Sequence, residues 1–410
     1  MASPAAPAVR PRQLSLVRLL DPEILADPYP LYRQLREEDP VHWDPYLSAW
    51  VVTRYRDVVF VLQHFSADRT PTPDQLTTMG LEQLNPAARL MVRQMLFLDP
   101  PAHGRVRSLA ARAFTPRRVE QLRGHIAEIT ERLLDEAEPR GRMDVIADLA
   151  DPLPAIVAAE LMGVPTEDHA QLKAWTTDFA EILGNFQHNP DHVPRVLAAV
   201  EGLTDYFRDA VHQRRPGPDA GLIGAMLDAE VDGDQLSEDE VIANCIITLV
   251  GGQETTTNLI GNGVLALLLH RDQLDRLLDE PALIPSGVEE LLRFESPSQH
   301  TARIAPDDIE IDGRVLRKGQ AAIAVMGAAN RDPERFPDPD RLDIARQDNR
   351  HVAFGWAAHF CFGAPLARIE GQVAFEALLR RMPGLTLDDG PLAWRTNLGL
   401  RGLTALPVHF

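Results

Sequence analysis

A mainly α-helical fold with small β-sheets, built as a single large domain, is what this sequence predicts, and three observations predict it. Apolar residues recur at helical spacing through most of the chain, as from Val119 to Glu136 and from Ala374 to Arg381. Strand-like segments are few and gather near the two ends. No Ser/Gly linker, internal repeat or low-complexity block divides the 410 residues, 45% of them hydrophobic, so one large core can form. Residues 1–18, rich in Ala and Pro, are expected to be a disordered tail, with 19–410 as the domain.

Composition excludes several function classes. Lys plus Arg is 41 and Asp plus Glu is 60, and the net charge of −19 repels a phosphate backbone, so no nucleic acid is expected. Two cysteines, Cys245 and Cys361, make neither a disulfide framework nor a zinc site, which fits a reducing compartment. Met1 to Gln13 lacks the apolar core of a signal peptide, and no stretch approaches the roughly 20 apolar residues that cross a bilayer. A soluble, cytoplasmic monomer without a membrane anchor is the expectation.

The elements follow in chain order. Val41 to Trp43 and Trp50 to Thr53 read as strands flanking a turn at Asp44-Pro45. Ser237 to His270 reads as one helix, opened by the capping-box pair Ser237 and Glu240 and about 50 Å long, enough to traverse the molecule. Its middle is unusual: Gly251-Gly252-Gln253-Glu254-Thr255-Thr256-Thr257 interrupts an apolar segment. Two helical glycines each cost on the order of 1 kcal/mol relative to alanine. They give either a packing kink or a groove for a ligand, beside which Glu254 and Thr255 would manage protons. Asp308 to Ile311 and Val315 to Arg317 flank Asp312-Gly313, a hairpin dipeptide. Gly363 to Arg381 reads as a helix, with Pro365 in its first turn and Pro383 closing it.

Cys361 therefore sits just before a helix N-terminus, where free N–H groups and the helix dipole favour a thiolate. Such a thiolate can be a nucleophile, with His359 as its base, or a metal ligand; an inert buried thiol fits the same pattern. No Cys-x-x-Cys or His-x3-His accompanies it, which argues against zinc.

The segment from Phe354 through Gly355, His359 and Cys361 to Gly363 resembles the haem-binding signature F-G-x-G-x-H-x-C-x-G of the cytochrome P-450 family. It departs at Ala357, where the family has glycine, so the loop dihedral there is a point of difference. Further motifs stand in the family's order. Glu290-Leu291-Leu292-Arg293 is similar to its E-x-x-R pair, with Arg341 of Pro339-Asp340-Arg341-Leu342 as third member of the ion-pair network. Arg335 imitates that spelling. Asp99-Pro100-Pro101-Ala102-His103-Gly104-Arg105-Val106-Arg107 resembles D-P-P-x-H-x-x-x-R. Gly251 to Thr255 resembles the oxygen-binding motif. The resemblance spans Asp21 to Phe410.

It implies the cytochrome P-450 fold, with the long helix over haem b (iron protoporphyrin IX). Cys361 is then the axial metal ligand; His103, Arg107, Arg303 and His359 hold propionates; and Phe354 and Gly251 complete the cofactor site. Glu254 and Thr255 are the catalytic acid–alcohol pair, while Thr256 and Thr257 turn away toward packing or back-bonding. The implied activity is a monooxygenase inserting one atom of O2 into a hydrophobic small molecule, such as a polyketide, terpenoid, steroid or fatty acid. Electrons would come from ferredoxin and ferredoxin reductase. Oxidative coupling or peroxygenase chemistry is the alternative; a haem sensor and a Cys361/His359 hydrolase are the weaker rivals. Leu96, Ile246, Ile247, Val250, Gly251, Gln299, Leu398 and Leu400 are the expected pocket walls. Asn185, Gln187, His188 and Asn189 are the expected lid. The acid-free run of Arg105, Arg107, Arg112, Arg117 and Arg118 is the expected ferredoxin face.

Overall fold

The computed structural model describes residues 14–184, 190–213, 221–231 and 233–410. The expected lid residues, Asn185, Gln187, His188 and Asn189, lie outside the described residues, as do residues 1–13 of the expected tail. The rest of that tail is folded. Leu16–Leu20 form a 3-10 helix, and Leu16 is fully buried. Asp44, itself buried, receives the Ser15 hydroxyl at 2.8 Å and the Leu16 N–H at 2.9 Å, tying this helix to the strand that Asp44 ends. A short apolar stretch between the Pro-rich start and Asp21 is what a composition-based reading of residues 14–18 overlooked.

Helices dominate, and the principal sheet joins the two ends of the chain. Strands β1 (Val41–Asp44), β2 (Ala49–Val52), β3 (Thr301–Ile304) and β4 (Ala321–Ala324) lie in the order β1-β2-β4-β3. β2 runs parallel to β4, with Trp50 opposite Ala322; the other pairings are antiparallel. The hairpin Ile309–Ile311 and Arg314–Leu316 turns at Asp312 (φ 48°) and Gly313 (φ 75°), both left-handed as a two-residue hairpin with the native strand twist requires.

Glu238–Leu269 is a continuous helix, capped by the reciprocal bonds of Ser237 and Glu240. Gly251 and Gly252 do not break it. A Cβ added at either would meet no heavy atom within 4 Å, so the pair opens a groove on this face. At Gly263, by contrast, a Cβ would lie 2.5 Å from Phe375 Cζ, so there glycine admits the neighbouring helix Ala364–Arg381.

The helix Ile284–Phe294 carries the buried Glu290 and Arg293, joined by two 2.8 Å bonds between guanidinium and carboxylate. The third member is not Arg341. That side chain is 67% exposed and pairs with Asp343. Arg346, 10% exposed, places Nε 3.1 Å from both Glu290 oxygens. Arg341 contributes only its carbonyl, which accepts from Arg293 and Arg346 at 3.2 Å each. Arg335 pairs with Asp348 near the surface, outside this network. Further bonds from Arg293 to the carbonyls of Asn330 and Pro339 fasten the segment that leads into the Cys361 loop.

Candidate active site

Cys361 lies between a 3-10 turn, Ala357–His359, and the helix Ala364–Arg381, whose N-cap is Gly363. Its N–H donates to the Phe354 carbonyl at 2.8 Å, closing the loop on itself. Burial pushes the thiol pKa up, while the N–H groups of Gly363 and Ala364 and the charges of Arg107 and Arg368 pull it down. Ala357 adopts φ 54°, the left-handed region that an alanine tolerates at some cost. The loop has thus kept the backbone shape of a glycine at this position.

Above Cys361 opens a cavity of about 310 Å³, walled on its far side by Ile247, Val250, Gly251, Gly252 and Thr255 of the long helix. Of the expected pocket walls, Leu96, Ile247, Val250, Gly251 and Leu400 line it, as does Phe354. Ile246, Gln299 and Leu398 do not. Ile246 is one residue, or about 100°, round the helix from Ile247 and is fully buried in the core. Gln299 is turned into the protein, donating to the Ser296 carbonyl at 2.7 Å, and Leu398 packs in the cluster that holds Leu16 and Tyr32.

One end of the cavity is cationic. His103 and His359 stack with ring centroids 4.1 Å apart, and Arg303 and Arg69 line the same cavity. Burial, then Arg303, His103 and Arg69, push His359 down to about 3; burial, then Arg107, lowers His103. Both imidazoles are therefore neutral at pH 7. Nε2 of buried His103 and Nε of buried Arg303 have no hydrogen-bond partner. The nearby acid, Asp99, is occupied by the Ser66 hydroxyl and the Ala67 N–H. Arg107 lines the cavity as well, with Nη2 donating to the Phe360 carbonyl at 2.6 Å and its charge felt by Cys361.

These residues fit a haem. A thiol stands ready beneath an apolar cavity, the facing helix is stripped to glycine, and orphaned donors with uncompensated positive charge wait at one rim for carboxylates. Among the described residues no cluster of three metal-ligating side chains occurs.

Thr255 lines the cavity with its hydroxyl donating to the Gly251 carbonyl at 2.6 Å, so it is the back-bonded threonine of the three. Thr257 donates to the Ala150 carbonyl at 2.9 Å. Thr256 lines the cavity and contacts Glu370. Glu254 does not line the cavity. Lys173 Nζ (2.8 Å) and the Thr177 hydroxyl (2.7 Å) hold one oxygen, and Arg395 (2.7 Å) holds the other. Burial raises the Glu254 pKa, but Lys173 and Arg395 outweigh it and hold the group ionised.

Sequence reasoning missed Arg69, Arg346, Glu370 and the Lys173–Arg395 clamp, because each is defined by a partner far off in the chain. Glu370, buried and supported by a hydrogen bond with the Thr256 hydroxyl, is pushed up to about 8 by burial. The expected ferredoxin face is narrower than five arginines. Arg105 is engaged by Asp234 and Glu240, and Arg107 by Phe360, leaving Arg112 and Arg117 exposed and Arg118 half-buried.

The cytochrome P450 family model matches residues 282–384. A polyketide biosynthesis cytochrome P450, PksS of Bacillus subtilis (strain 168), is 40% identical over 93% of this chain and 95% of its own. The cytochrome P450 monooxygenase PikC of Streptomyces venezuelae is 40% identical over 95% of this chain and 93% of its own. The crystal structure of P450BioI in complex with an acyl carrier protein bearing hexadec-9Z-enoic acid superposes with a TM-score of 0.89. It is 38% identical and covers 95% of this chain and 99% of that one.

Proposed function

We propose, from the premise that the chain belongs to the cytochrome P450 family, that it oxygenates a hydrophobic natural product of polyketide, terpenoid or steroid type with electrons from ferredoxin and its reductase. Its membership makes it a haem-dependent oxidoreductase, and enzymes of this kind draw on external redox partners. The observation that carries the reading is the apolar cavity between Cys361 and the Gly251-Gly252 groove, open on one side to Leu96, Ile247, Val250 and Leu400. A relative named for polyketide biosynthesis supports the substrate class. Among the described residues no helix is long and apolar enough to cross a membrane.

When bound, haem b supplies the activation of dioxygen for insertion of one oxygen atom into a C–H or C=C bond, using two electrons and two protons. The chain's own residues do the rest. Cys361 would hold the metal, and the first N–H groups of its helix with Arg107 and Arg368 support the sulfur's negative charge. His103, Arg107, Arg303 and His359 would receive the propionates. The apolar walls orient the substrate and exclude water. Thr255 carries the hydroxyl that serves proton delivery on the cavity side, once it leaves the Gly251 carbonyl. Glu254, ionised and held by three donors, carries no proton of its own; to relay one from solvent it must first release a donor and accept that proton.

The test is the carbon monoxide difference spectrum of the reduced protein, followed by NADPH-driven turnover with ferredoxin and its reductase under 18O2. We expect the Soret band of a thiolate-ligated haem, displaced to the blue in Cys361→Ser, and one 18O atom in the product. A band indifferent to Cys361→Ser overturns the site. Product made from peroxide alone, or two substrates joined without oxygen, transfers the reading to peroxygenase or coupling chemistry.

A further inference from the structure

We infer that Arg69 is a carboxylate-binding residue of this cavity and that the carboxylate it holds is a haem propionate; the inference rests on the haem reading above. The argument is one of charge and position. Arg69 lines the cavity together with Arg303, His103 and His359, and its guanidinium lies 4.5 Å over the Phe97 ring. Its Nη1 donates to the Ala67 carbonyl at 3.1 Å, which leaves the rest of the fork without a protein acceptor of negative charge. Among the described residues no carboxylate lies within salt-bridge distance of Arg69 or Arg303. Protein packed round it and the neighbouring charge of Arg303 lower the Arg69 pKa to about 9, so it stays cationic at pH 7.

Arg69 and Arg303 thus face one rim of the cavity, which Arg107 also lines, beside the stacked imidazoles of His103 and His359. Asp99, the acid between them, already accepts from Ser66 and Ala67. Buried cations persist when paired, and two propionates restore the balance. Arg107, the arginine that the sequence motif assigns to them, lines the same cavity and, like Arg69, gives one fork nitrogen to a backbone carbonyl. Arg69 adds to this set, because a planar fork can engage one carboxylate bidentately. A second cavity on its outer side, bordered by Pro71, Asp74 and Thr78, places Arg69 at the wall between the haem chamber and solvent, where a porphyrin's polar edge belongs.

A carboxylate at this place could also belong to a substrate acid, and the experiment separates the two. Holoenzyme of wild type, Arg69→Gln and Arg69→Lys is compared for haem loss to excess apomyoglobin and for reduction potential. Palmitate and hexadecanol are then titrated by their spectral shifts. We expect haem loss to accelerate about tenfold in Arg69→Gln and to be largely restored in Arg69→Lys, the scale of one charge-assisted bond. The potential falls with the lost positive charge, and the palmitate-to-hexadecanol affinity ratio holds steady. Haem loss and potential within twofold and unchanged, with that ratio collapsing tenfold, overturns the propionate assignment and gives the carboxylate to substrate. No change in any readout overturns the residue's role altogether. A wild-type chain that takes up no haem would instead sink the haem reading itself.

Discussion

Replacing Arg346 by alanine should destabilise the protein far more than replacing Arg341, although the sequence motif favours Arg341. The Arg346 guanidinium reaches both oxygens of the fully buried Glu290 at 3.1 Å, the Pro337 carbonyl at 2.8 Å and the Arg341 carbonyl at 3.2 Å. Breaking a buried ion pair costs about 3–5 kcal/mol when the remaining charge is abandoned. Glu290 keeps both bonds from Arg293 and the donors of Asn349 and Asp343, so the low end, about 3 kcal/mol, applies. Arg341→Ala removes only an exposed pair with Asp343 and leaves its carbonyl in place, which amounts to under ~0.5 kcal/mol. With an unfolding entropy near 2.1 cal/mol/K per residue over 410 residues, 3 kcal/mol corresponds to about 3.5 °C in Tm. Thermal unfolding of the two variants in parallel reads this difference, and Arg346→Lys should recover part of it. Equal shifts, or a larger one for Arg341→Ala, would refute the assignment of Arg346 to Glu290.

Two further outcomes follow from single residues. Glu370, with its folded pKa raised from 4.5 to about 8, contributes stability that is present below its ordinary pKa and is lost as pH rises through 8. Glu370→Gln should therefore match wild type near pH 5 and become the more stable protein at pH 8.5; a difference in Tm that is flat with pH counts against a neutral Glu370. At Ala357, φ 54° costs an L-residue roughly 1–2 kcal/mol, and glycine's greater unfolded-state freedom returns about 0.5–1 of that. Ala357→Gly should be neutral to about 1 kcal/mol stabilising with haem retained, whereas β-branched Ala357→Val should lose haem. Melting curves and haem content of the purified variants decide it, and a glycine variant less stable than wild type would show that the left-handed turn is not strained.

Much of the site was legible because its chemistry is local in sequence. Cys361 before Gly363, the Ser237–Glu240 capping box, the Gly251-Gly252 pair and the Asp312-Gly313 turn each follow from a few neighbouring residues and their backbone preferences. Periodicity likewise determined the long helix and the mainly helical class. Spacing alone could not separate Ile247 from Ile246 as a cavity wall, since adjacent positions differ by about 100° and only the packed neighbours say which side is open. Nor could it choose Arg346 over Arg341, or find Arg69, Glu370 and the Lys173–Glu254–Arg395 clamp. Glu254 and Arg395 are 141 residues apart, and Arg303 and Arg69 repel one another across 234 positions of chain. The sequence by itself determined which groups could bind a metal, cap a helix or turn a strand, because those preferences are properties of one short segment. Only the tertiary structure decided which charges share a low-dielectric space, because pairing energy depends on distance and burial, and neither is written along the chain.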